Sequence, residues 1–226
     1  MSHFSPALFK FLRDLAANND RDWFKANKAR YVEVLQQPAL TFISDFAPHL
    51  AKLSKHFVAD PRPVGGSLFR IYRDTRFSKD KSPYKTNTGI HLRHEAAKDA
   101  HAPGFYLHLE PGRCFVGVGL WHPDAATAGR IRQAIVDRGA QWKRAVRGKS
   151  FTTALTLEGD SLKRPPRGFD KDHPLIEDLK RKDFTAMAKV SQKTIVAPDF
   201  IKHVARTFRA GSPLMRFLCE AVGVPY

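Results

Sequence analysis

The chain has 226 residues, a formal net charge of +16 at pH 7 and 42% hydrophobic residues, enough to bury a sizeable core. Its cations are spread through patterned segments that also carry 22 carboxylates, which excludes a disordered basic tail. Two cysteines are too few for a disulfide framework or a thiolate metal site, and no apolar run approaches a membrane span. We therefore expect a cytoplasmic protein with no membrane partner.

The first quarter of the chain is predicted to be helical. Ser5 and Pro6 are typical of a helix start, and apolar residues recur at helical spacing until Asn18 and Asn19. Asp20 is suited to cap a second helix, and a third apolar stretch at helical spacing follows Pro38.

From Leu68 onwards the apolar period changes to two, which is typical of β-strands. The alternating stretches are "LFRIYR", "TGIHLR", "GFYLHLE" and "CFVGVGLW". Pro111 and Gly112 separate the last two and predict a hairpin. Residues whose numbers sum to 223 then face each other, so Tyr106 opposes Gly117 and His108 opposes Phe115.

Further elements follow the hairpin. Asp124 caps a predicted helix, "SFTTALTLEG" is predicted as a strand, "HPLIEDLKRK" as a short helix and "FTAMAKV" as a strand. The chain ends in two predicted helices, 198–210 and 212–222, broken at "GSP". The pattern predicts one α+β domain over residues 1–226, with an antiparallel or mixed sheet, a helical N-terminal layer and C-terminal helices.

The two faces of the predicted sheet differ in composition. Alternation assigns Phe69, Ile71, Ile90 and Leu107 to the core. The opposite face is basic and aromatic: Arg70, Tyr72, His91, Arg93, Tyr106 and His108. Gly117 and Gly119 leave a strip without side chains there, which either a packed helix or a flat ligand can approach, and helix packing is the commoner use.

The stretch "RIYRDTRFSKDKSPYK", residues 70–85, contains six cations and two carboxylates. One interpretation is a loop whose charges pair internally. The other is an anion site, in which Asp74 pairs with one arginine and the other stays free to hold phosphate. Its candidate anion-binding residues are Arg70, Tyr72, Arg73, Arg76, Lys79, Lys81, Tyr84 and Lys85, together with Arg93 and Tyr106 from the sheet face.

A second charged segment, "LKRPPRGFDKDHP", adds the candidate anion-binding residues Lys163, Arg164 and Arg167. Its Asp170, Asp172 and His173 suit either a divalent metal or the capping of a turn before Pro174. Capping is the favoured interpretation, so we predict no metal and no cofactor.

The two histidines of the sheet face, His91 and His108, suggest an acid–base pair. Two histidines can cleave a phosphodiester, one as base and one as acid, with Arg93 stabilising the developing charge. The two-histidine phosphoesterases look similar, but they carry a hydroxyl residue two positions after each histidine, where this chain has Arg93 and Glu110.

Long stretches of the sequence resemble a known family. These are "FLRDLAANNDRDWFKANKARY", "SLFRIYRDTRFSKDKSPYKTNTGIHLRH", "PGFYLHLEPGRCFVGVGLW", "IRQAI" and "LKRPPRGFDKDHP", which resemble the domain-of-unknown-function family 2461 of bacteria and fungi. The resemblance runs nearly end to end. It implies a single intact domain and no particular activity.

The sequence thus predicts a basic domain that binds a phosphate-rich partner, RNA or DNA, through the 70–85 stretch and the basic sheet face. An enzyme acting on a phosphorylated or nucleotidic substrate, and a protein that binds acidic protein surfaces, are the alternatives. No Walker loop, G-x-G-x-x-G or G-x-S-x-G motif occurs, which disfavours nucleotide-driven motors, dinucleotide-dependent dehydrogenases and serine hydrolases of that type.

Overall fold

A computed structural model describes residues 2–96 and 102–226 and confirms the α+β class. In these residues one antiparallel sheet has the strand order β1-β2-β3-β4-β6-β5. The strands are β1 (Phe57–Val58), β2 (Thr88–His94), β3 (Gly104–Leu109), β4 (Phe115–Leu120), β5 (Thr156–Glu158) and β6 (Phe184–Lys189).

Helices precede, interrupt and follow the strands. They are α1 (Pro6–Ala17), α2 (Arg21–Ala26), α3 (Lys28–Tyr31), α4 (Gln37–Ala51), α5 (Ala125–Asp137), α6 (Gly139–Arg147), α7 (Lys149–Ala154), α8 (Ile176–Leu179), α9 (Gln192–Ile195) and α10 (Phe200–Val222), with a π-helical turn Val32–Gln36 between α3 and α4.

The predicted starts of several helices are confirmed. Ser5 precedes α1, the Asp20 carboxylate accepts the Trp23 amide at the start of α2, and Asp124 accepts the Thr127 amide at the start of α5. Pro38 does not separate two helices as predicted. The π-helical turn carries the chain into α4, because a wider turn accommodates a proline that lacks an amide and crowds the preceding turn.

The hairpin forms in the predicted register. Tyr106 pairs with Gly117, and His108 pairs with Phe115. Phe105, Leu107, Val116 and Val118 are buried on the core face, as alternation requires.

The prediction of a strand over "LFRIYR" is wrong. Only isolated bridges form there, from Leu68 to Ile90 and from Tyr72 to Tyr84. Leu68 and Ile71 are buried, whereas Phe69 is only partly buried and contacts the ring of His91 on the other face. An irregular backbone breaks the alternation on which the prediction of a buried Phe69 rested.

Two further elements differ from the sequence prediction. β1 was not predicted, because two residues are too short for an alternating pattern. The predicted strand "SFTTALTLEG" is mostly helix: α7 ends at Ala154, and only Thr156–Glu158 pairs with β6.

The predicted break at "GSP" is also wrong, since α10 runs unbroken through Pro213. Ser212 Oγ donates to the Phe208 carbonyl, 3.2 Å away. A Cβ on Gly211 would lie 2.7 Å from Val118 Cγ2, so the glycine allows α10 to approach β4 closely. Packing of the helix on the sheet outweighs the local breaking signals.

Helices α6 and α10 pack against one face of the sheet. The Phe208 ring lies 4.8 Å from that of Phe105, Gly211 packs on Val118, and Trp142 contacts Phe184. All three strand residues belong to the core face.

In the described ranges, no helix is both long enough and apolar enough to cross a membrane.

The close approach of α10 to β4 gives the first testable prediction. Gly211→Leu should lower the free energy of unfolding by about 1–3 kcal/mol, because the new side chain overpacks the contact with Val118. Gly129→Leu is the matched control, since a Cβ there meets no atom of the described residues within 4 Å. Equal urea midpoints for the two variants would contradict this account of the helix–sheet contact.

Candidate functional site

The second face of the sheet, opposite the helices, is defined by three rows of paired residues. The first row is Gly89, His108, Phe115 and Lys189; the second is His91, Tyr106, Gly117, Met187 and Thr156; the third is Val58, Arg93, Gly104, Gly119, Thr185 and Glu158. The predicted assignment of His91, Arg93, Tyr106 and His108 to one face is thereby confirmed. Arg70 and Tyr72, predicted on the same face, lie instead in the irregular segment outside these strands.

Glycines shape this face by letting rings lie flat on the strands. A Cβ on Gly104 would lie 2.1 Å from His91 Nε2, and one on Gly89 would lie 2.4 Å from the Tyr106 hydroxyl. The rings therefore cover Gly104 and Gly89, whereas a Cβ on Gly117 would meet no described residue closer than 3.7 Å. The space above Gly117 stays open between the rings.

This space is a cavity of about 340 Å³, which we call the ring cavity. Its lining is mainly apolar and aromatic: Phe69, His91, Ala102, Gly104, Tyr106, His108, Arg113, Phe115, Gly117, Val118, Gly119, Trp121, Thr185, Ala186 and Met187. The interpretation that a helix covers the glycine strip is therefore wrong for the described residues. Gly117 and Gly119 line a pocket of the size that small ligands occupy.

His91 is a buried histidine with an unused ring nitrogen. Its side chain lines the ring cavity with 7% of its surface exposed, and its Nδ1 has no hydrogen-bond partner among the described residues. Burial, aided by the charge of Arg93, lowers the pKa of His91 to about 4. At neutral pH its imidazole is therefore uncharged and can either donate or accept a hydrogen bond.

His108 is held in a chain of hydrogen bonds. Its Nε2 lies 3.0 Å from Glu110 Oε2, and its Nδ1 lies 3.3 Å from the Tyr106 hydroxyl and 3.5 Å from the Asn87 amide. A carboxylate only accepts, so Nε2 carries the proton and Nδ1 is the acceptor for Tyr106. Burial lowers the pKa of His108, opposed by the Glu110 carboxylate, and burial also raises the pKa of Tyr106 to about 12.

These pKa directions bear on the acid–base hypothesis. A base–acid pair of histidines needs one imidazole protonated near neutral pH. Burial favours the neutral form of both His91 and His108, so each suits a base or a hydrogen-bonding role better than an acid.

Three cations lie in or beside the lining of the ring cavity: Arg113 lines it, Lys85 contacts the lining residue Phe69, and Arg93 pairs with the lining residue Gly104. Lys85 Nζ lies 5.3 Å from the centre of the Phe69 ring, and the Arg113 guanidinium lies 5.9 Å from that of Phe115. Burial and the neighbouring charge of Arg70 lower the pKa of Lys85. Arg93 lies on the third row, where its guanidinium donates to the carbonyls of Gly65 and Gly66 at 3.4 Å.

The arginines of the 70–85 stretch do not behave as predicted. Arg76 pairs with Asp74 at 2.7 Å, and Arg73 pairs with Asp80 and also donates to the Ser82 carbonyl. The prediction that one arginine stays free is wrong, because the second carboxylate, Asp80, neutralises it. Hydrogen bonds from Arg76 lower the pKa of Asp74 to about 2, and those from Ser82, then Arg73, lower that of Asp80 to about 2.

The remaining candidates of this stretch lie around that paired loop. Lys81 Nζ donates to the Thr75 carbonyl at 3.0 Å, and Arg70 and Lys79 are exposed. Tyr84 is buried and stacks on Phe24, with ring centres 4.1 Å apart, and Tyr72 packs beside it. Tyr72 and Tyr84 thus join the N-terminal helices to the stretch and do not line the ring cavity.

The second charged segment borders the opposite edge of the sheet. Lys163, Arg164 and Arg167 are exposed and follow β5, while the 70–85 stretch borders β2. Four strand spacings of about 4.8 Å separate β2 from β5. Each segment lies beyond its own strand, so the distance between the two segments is larger still. They therefore do not form one site.

One acidic residue of that segment, Asp170, caps a turn, whereas the N-cap of α8 is Leu175 and not the predicted Asp172. The Asp170 carboxylate accepts the Asp172 amide, and His173 Nδ1 accepts the Leu175 amide. Across the described residues no group of three or more His, Cys, Asp or Glu side chains is placed to hold a metal ion.

Several lining residues were missed from the sequence. Phe69 was assigned to the core, and Arg113 was not among the candidate residues. Phe115 could have been identified from the sequence, because the predicted hairpin register pairs it with His108. Trp121 and Met187 come from beyond the hairpin and from β6, whose pairing with β4 has no short-range signal in the sequence.

Fold and site together define an α+β protein with helices on one sheet face and a ring-lined cavity on the other. The chain belongs to the family described as "Conserved hypothetical protein (DUF2461)", which matches residues 7–217. The resemblance seen in the sequence is thus confirmed. No curated protein and no solved structure matches the chain.

The buried His91 gives a prediction on stability and pH. The native state resists protonation of His91 down to a pKa of about 4, whereas the unfolded chain protonates it near pH 6.5. Its contribution to stability is therefore full above pH 6.5 and is lost as the pH falls towards 4. His91→Phe has no imidazole to protonate. Between pH 7 and 4 the free energy of unfolding of the wild type should therefore fall by up to about 3 kcal/mol more than that of the variant.

Urea unfolding followed by circular dichroism at half-unit pH steps measures both curves. Parallel curves for the two proteins would show that His91 protonates as readily in the native state as in the unfolded chain.

Proposed function

We propose that this protein binds a phosphate-rich ligand of the nucleic-acid class on the second face of its sheet, with a base in the ring cavity. The observation that carries the proposal is an aromatic cavity flanked by Lys85 on the β2 side and Arg113 on the β4 side. Rings bind the flat faces of bases, and flanking cations bind phosphate, so the two features suit the same ligand.

Ring stacking supports the choice of a base. Phe69, Tyr106 and Phe115 line the cavity together with Trp121, and 51% of Trp121 is exposed. Stacking of a base on an aromatic side chain contributes about 1–3 kcal/mol and tolerates any base.

The unpartnered His91 nitrogen also supports a polar ligand. A buried polar atom without a hydrogen bond destabilises the protein by about 1–3 kcal/mol, so a ligand that bonds to it gains affinity. The edge of a base carries both donors and acceptors and suits an uncharged imidazole in either tautomer.

Charge supports the phosphate part of the ligand. The net charge of +16 concentrates polyanions near the protein, and affinity should fall as salt rises. The pairs Arg73–Asp80 and Arg76–Asp74 would have to open before these arginines bound phosphate. The proposal therefore rests on Lys85, Arg113 and Arg93.

Filling the cavity tests the proposal. Gly117→Leu should weaken binding of a fluorescent oligonucleotide about 10-fold or more, because the leucine occupies the space of the base and removes its stacking contacts. Fluorescence anisotropy at fixed salt measures the affinity. Gly129→Leu, on α5, is the control and should bind like wild type.

Circular dichroism checks that both variants keep the wild-type fold, and heparin retention checks that they keep its surface charge. Equal loss of affinity in Gly117→Leu and Gly129→Leu, or no loss in either, would contradict a base in the ring cavity.

A second function is favoured by the Glu110–His108–Tyr106 chain. A carboxylate that orients an imidazole towards a hydroxyl is an arrangement used for proton abstraction. On that hypothesis His108 Nδ1 takes the proton of a water that attacks the phosphodiester phosphorus, the P–O bond to the leaving oxygen breaks, that oxygen takes a proton from solvent, and the protein is a phosphodiesterase.

Turnover of a generic phosphodiester substrate tests this hypothesis. Glu110→Gln should lower kcat at least 10²-fold, since the imidazole loses its orienting partner, while Asp137→Asn, a carboxamide control on α5, should leave kcat unchanged. The rate should rise with pH through the lowered pKa of His108 and be level near pH 7. If the wild type shows no turnover at any pH, the phosphodiesterase hypothesis is wrong and only the ligand-binding proposal remains.

A further inference from the structure

A second cavity adjoins the ring cavity where β4, β6 and β5 meet the hairpin turn and α7. Its volume is about 990 Å³, and it extends from the hairpin turn to the β5 edge; we call it the edge cavity. Both cavities are lined by Arg113, Phe115 and Met187, so these three residues form a ridge between them.

The edge cavity differs chemically from the ring cavity. Its lining includes the hydroxyls of Thr152, Thr153, Thr156 and Ser191 and the side chain of Gln192. Among its lining residues, the charged ones are Arg113, Lys189 and Glu158. Hydroxyls and amides together with two cations suit a sugar–phosphate backbone better than a stacked base.

We propose that the two cavities form one continuous site for a single strand of nucleic acid. One base enters the ring cavity, the backbone crosses the ridge beside Arg113, and the next phosphates lie near Lys189 in the edge cavity. This inference rests on the proposed function, since it extends the same ligand beyond the first base.

The geometry supports a strand longer than one nucleotide. Gly117 under the ring cavity and Thr156 in the edge cavity pair through Met187, two strand spacings or about 10 Å apart. A mononucleotide in the ring cavity leaves the edge cavity unused, whereas a chain of a few nucleotides contacts both.

The same geometry favours a single strand over a duplex. The ring cavity is lined by rings that need the flat face of a base, and bases in a duplex have their faces stacked on neighbours. Sheets that bind single strands through aromatic side chains exploit the same physical chemistry. An acidic protein offers carboxylates for Lys189 and Arg113 but no bases for the ring cavity.

Chain length is the first arm of the test. Uridine monophosphate, a uridine tetranucleotide and a longer duplex that stays paired at the assay temperature are titrated against the full chain, at matched nucleotide concentration, by anisotropy competition. We expect the tetranucleotide to bind at least 10-fold more tightly than the monophosphate, and the duplex to bind more weakly than the single strand.

Lys189→Glu is the second arm, because Lys189 lines only the edge cavity. The variant should bind the tetranucleotide about 10-fold or more less tightly than wild type does. Its affinity for the monophosphate should change less than 2-fold. Lys193→Glu is the matched control: it makes the same charge change at an exposed residue of α9 and lies outside the lining of both cavities in the described structure. Lys189→Gln, a milder change, should reduce the slope of log affinity against log salt by about 0.7, the effect of one lost phosphate contact.

The outcomes separate the two proposals. If the monophosphate binds and the tetranucleotide binds no more tightly, the proposal of a continuous site is wrong, and the proposal of a base in the ring cavity is retained. If Lys193→Glu and Lys189→Glu weaken binding equally, or a duplex or an acidic polypeptide binds as tightly as the single strand, a diffuse positive surface replaces the strand site. If neither nucleotide binds, the proposed function falls as well.

Discussion

The strict alternation of side chains across one antiparallel sheet is the constraint on which the rest of this structure depends. On the core face, Phe105 and Val118 pack against α10. The same alternation forces Tyr106, His108 and their cross-strand partners to the opposite face. A one-residue slip in the hairpin would exchange the two faces, so the buried core and the ring-lined cavity are specified together.

Glycine is the second determinant of the site. Gly89 and Gly104 allow the rings of Tyr106 and His91 to lie on the sheet, and Gly117 leaves the space between them open. Side chains at these positions would displace the rings or fill the cavity. The cavity is therefore built by the absence of side chains as much as by the rings, and His91 Nδ1 is buried there without a protein partner in the described structure.

The hairpin register and the faces of the residues in β2, β3 and β4 could be predicted, because a two-residue turn and a period of two are local properties. The unbroken α10 and the irregular Phe69 segment could not, because Gly211 packing on Val118 and bridges from Leu68 to Ile90 depend on distant residues. The charge-rich 70–85 stretch was the most conspicuous sequence feature, yet Asp74 and Asp80 neutralise its arginines. Charge counts from sequence miss such pairing, because they contain no distances.

Ultraviolet crosslinking of a bound oligonucleotide, with the attached peptide identified by mass spectrometry, most directly tests whether the second face is the binding surface. The account predicts attachment at rings of the ring cavity, namely Phe69, Tyr106, Phe115 or Trp121. Attachment confined to the 70–85 loop around Phe77, or to the exposed 163–167 segment, would contradict it.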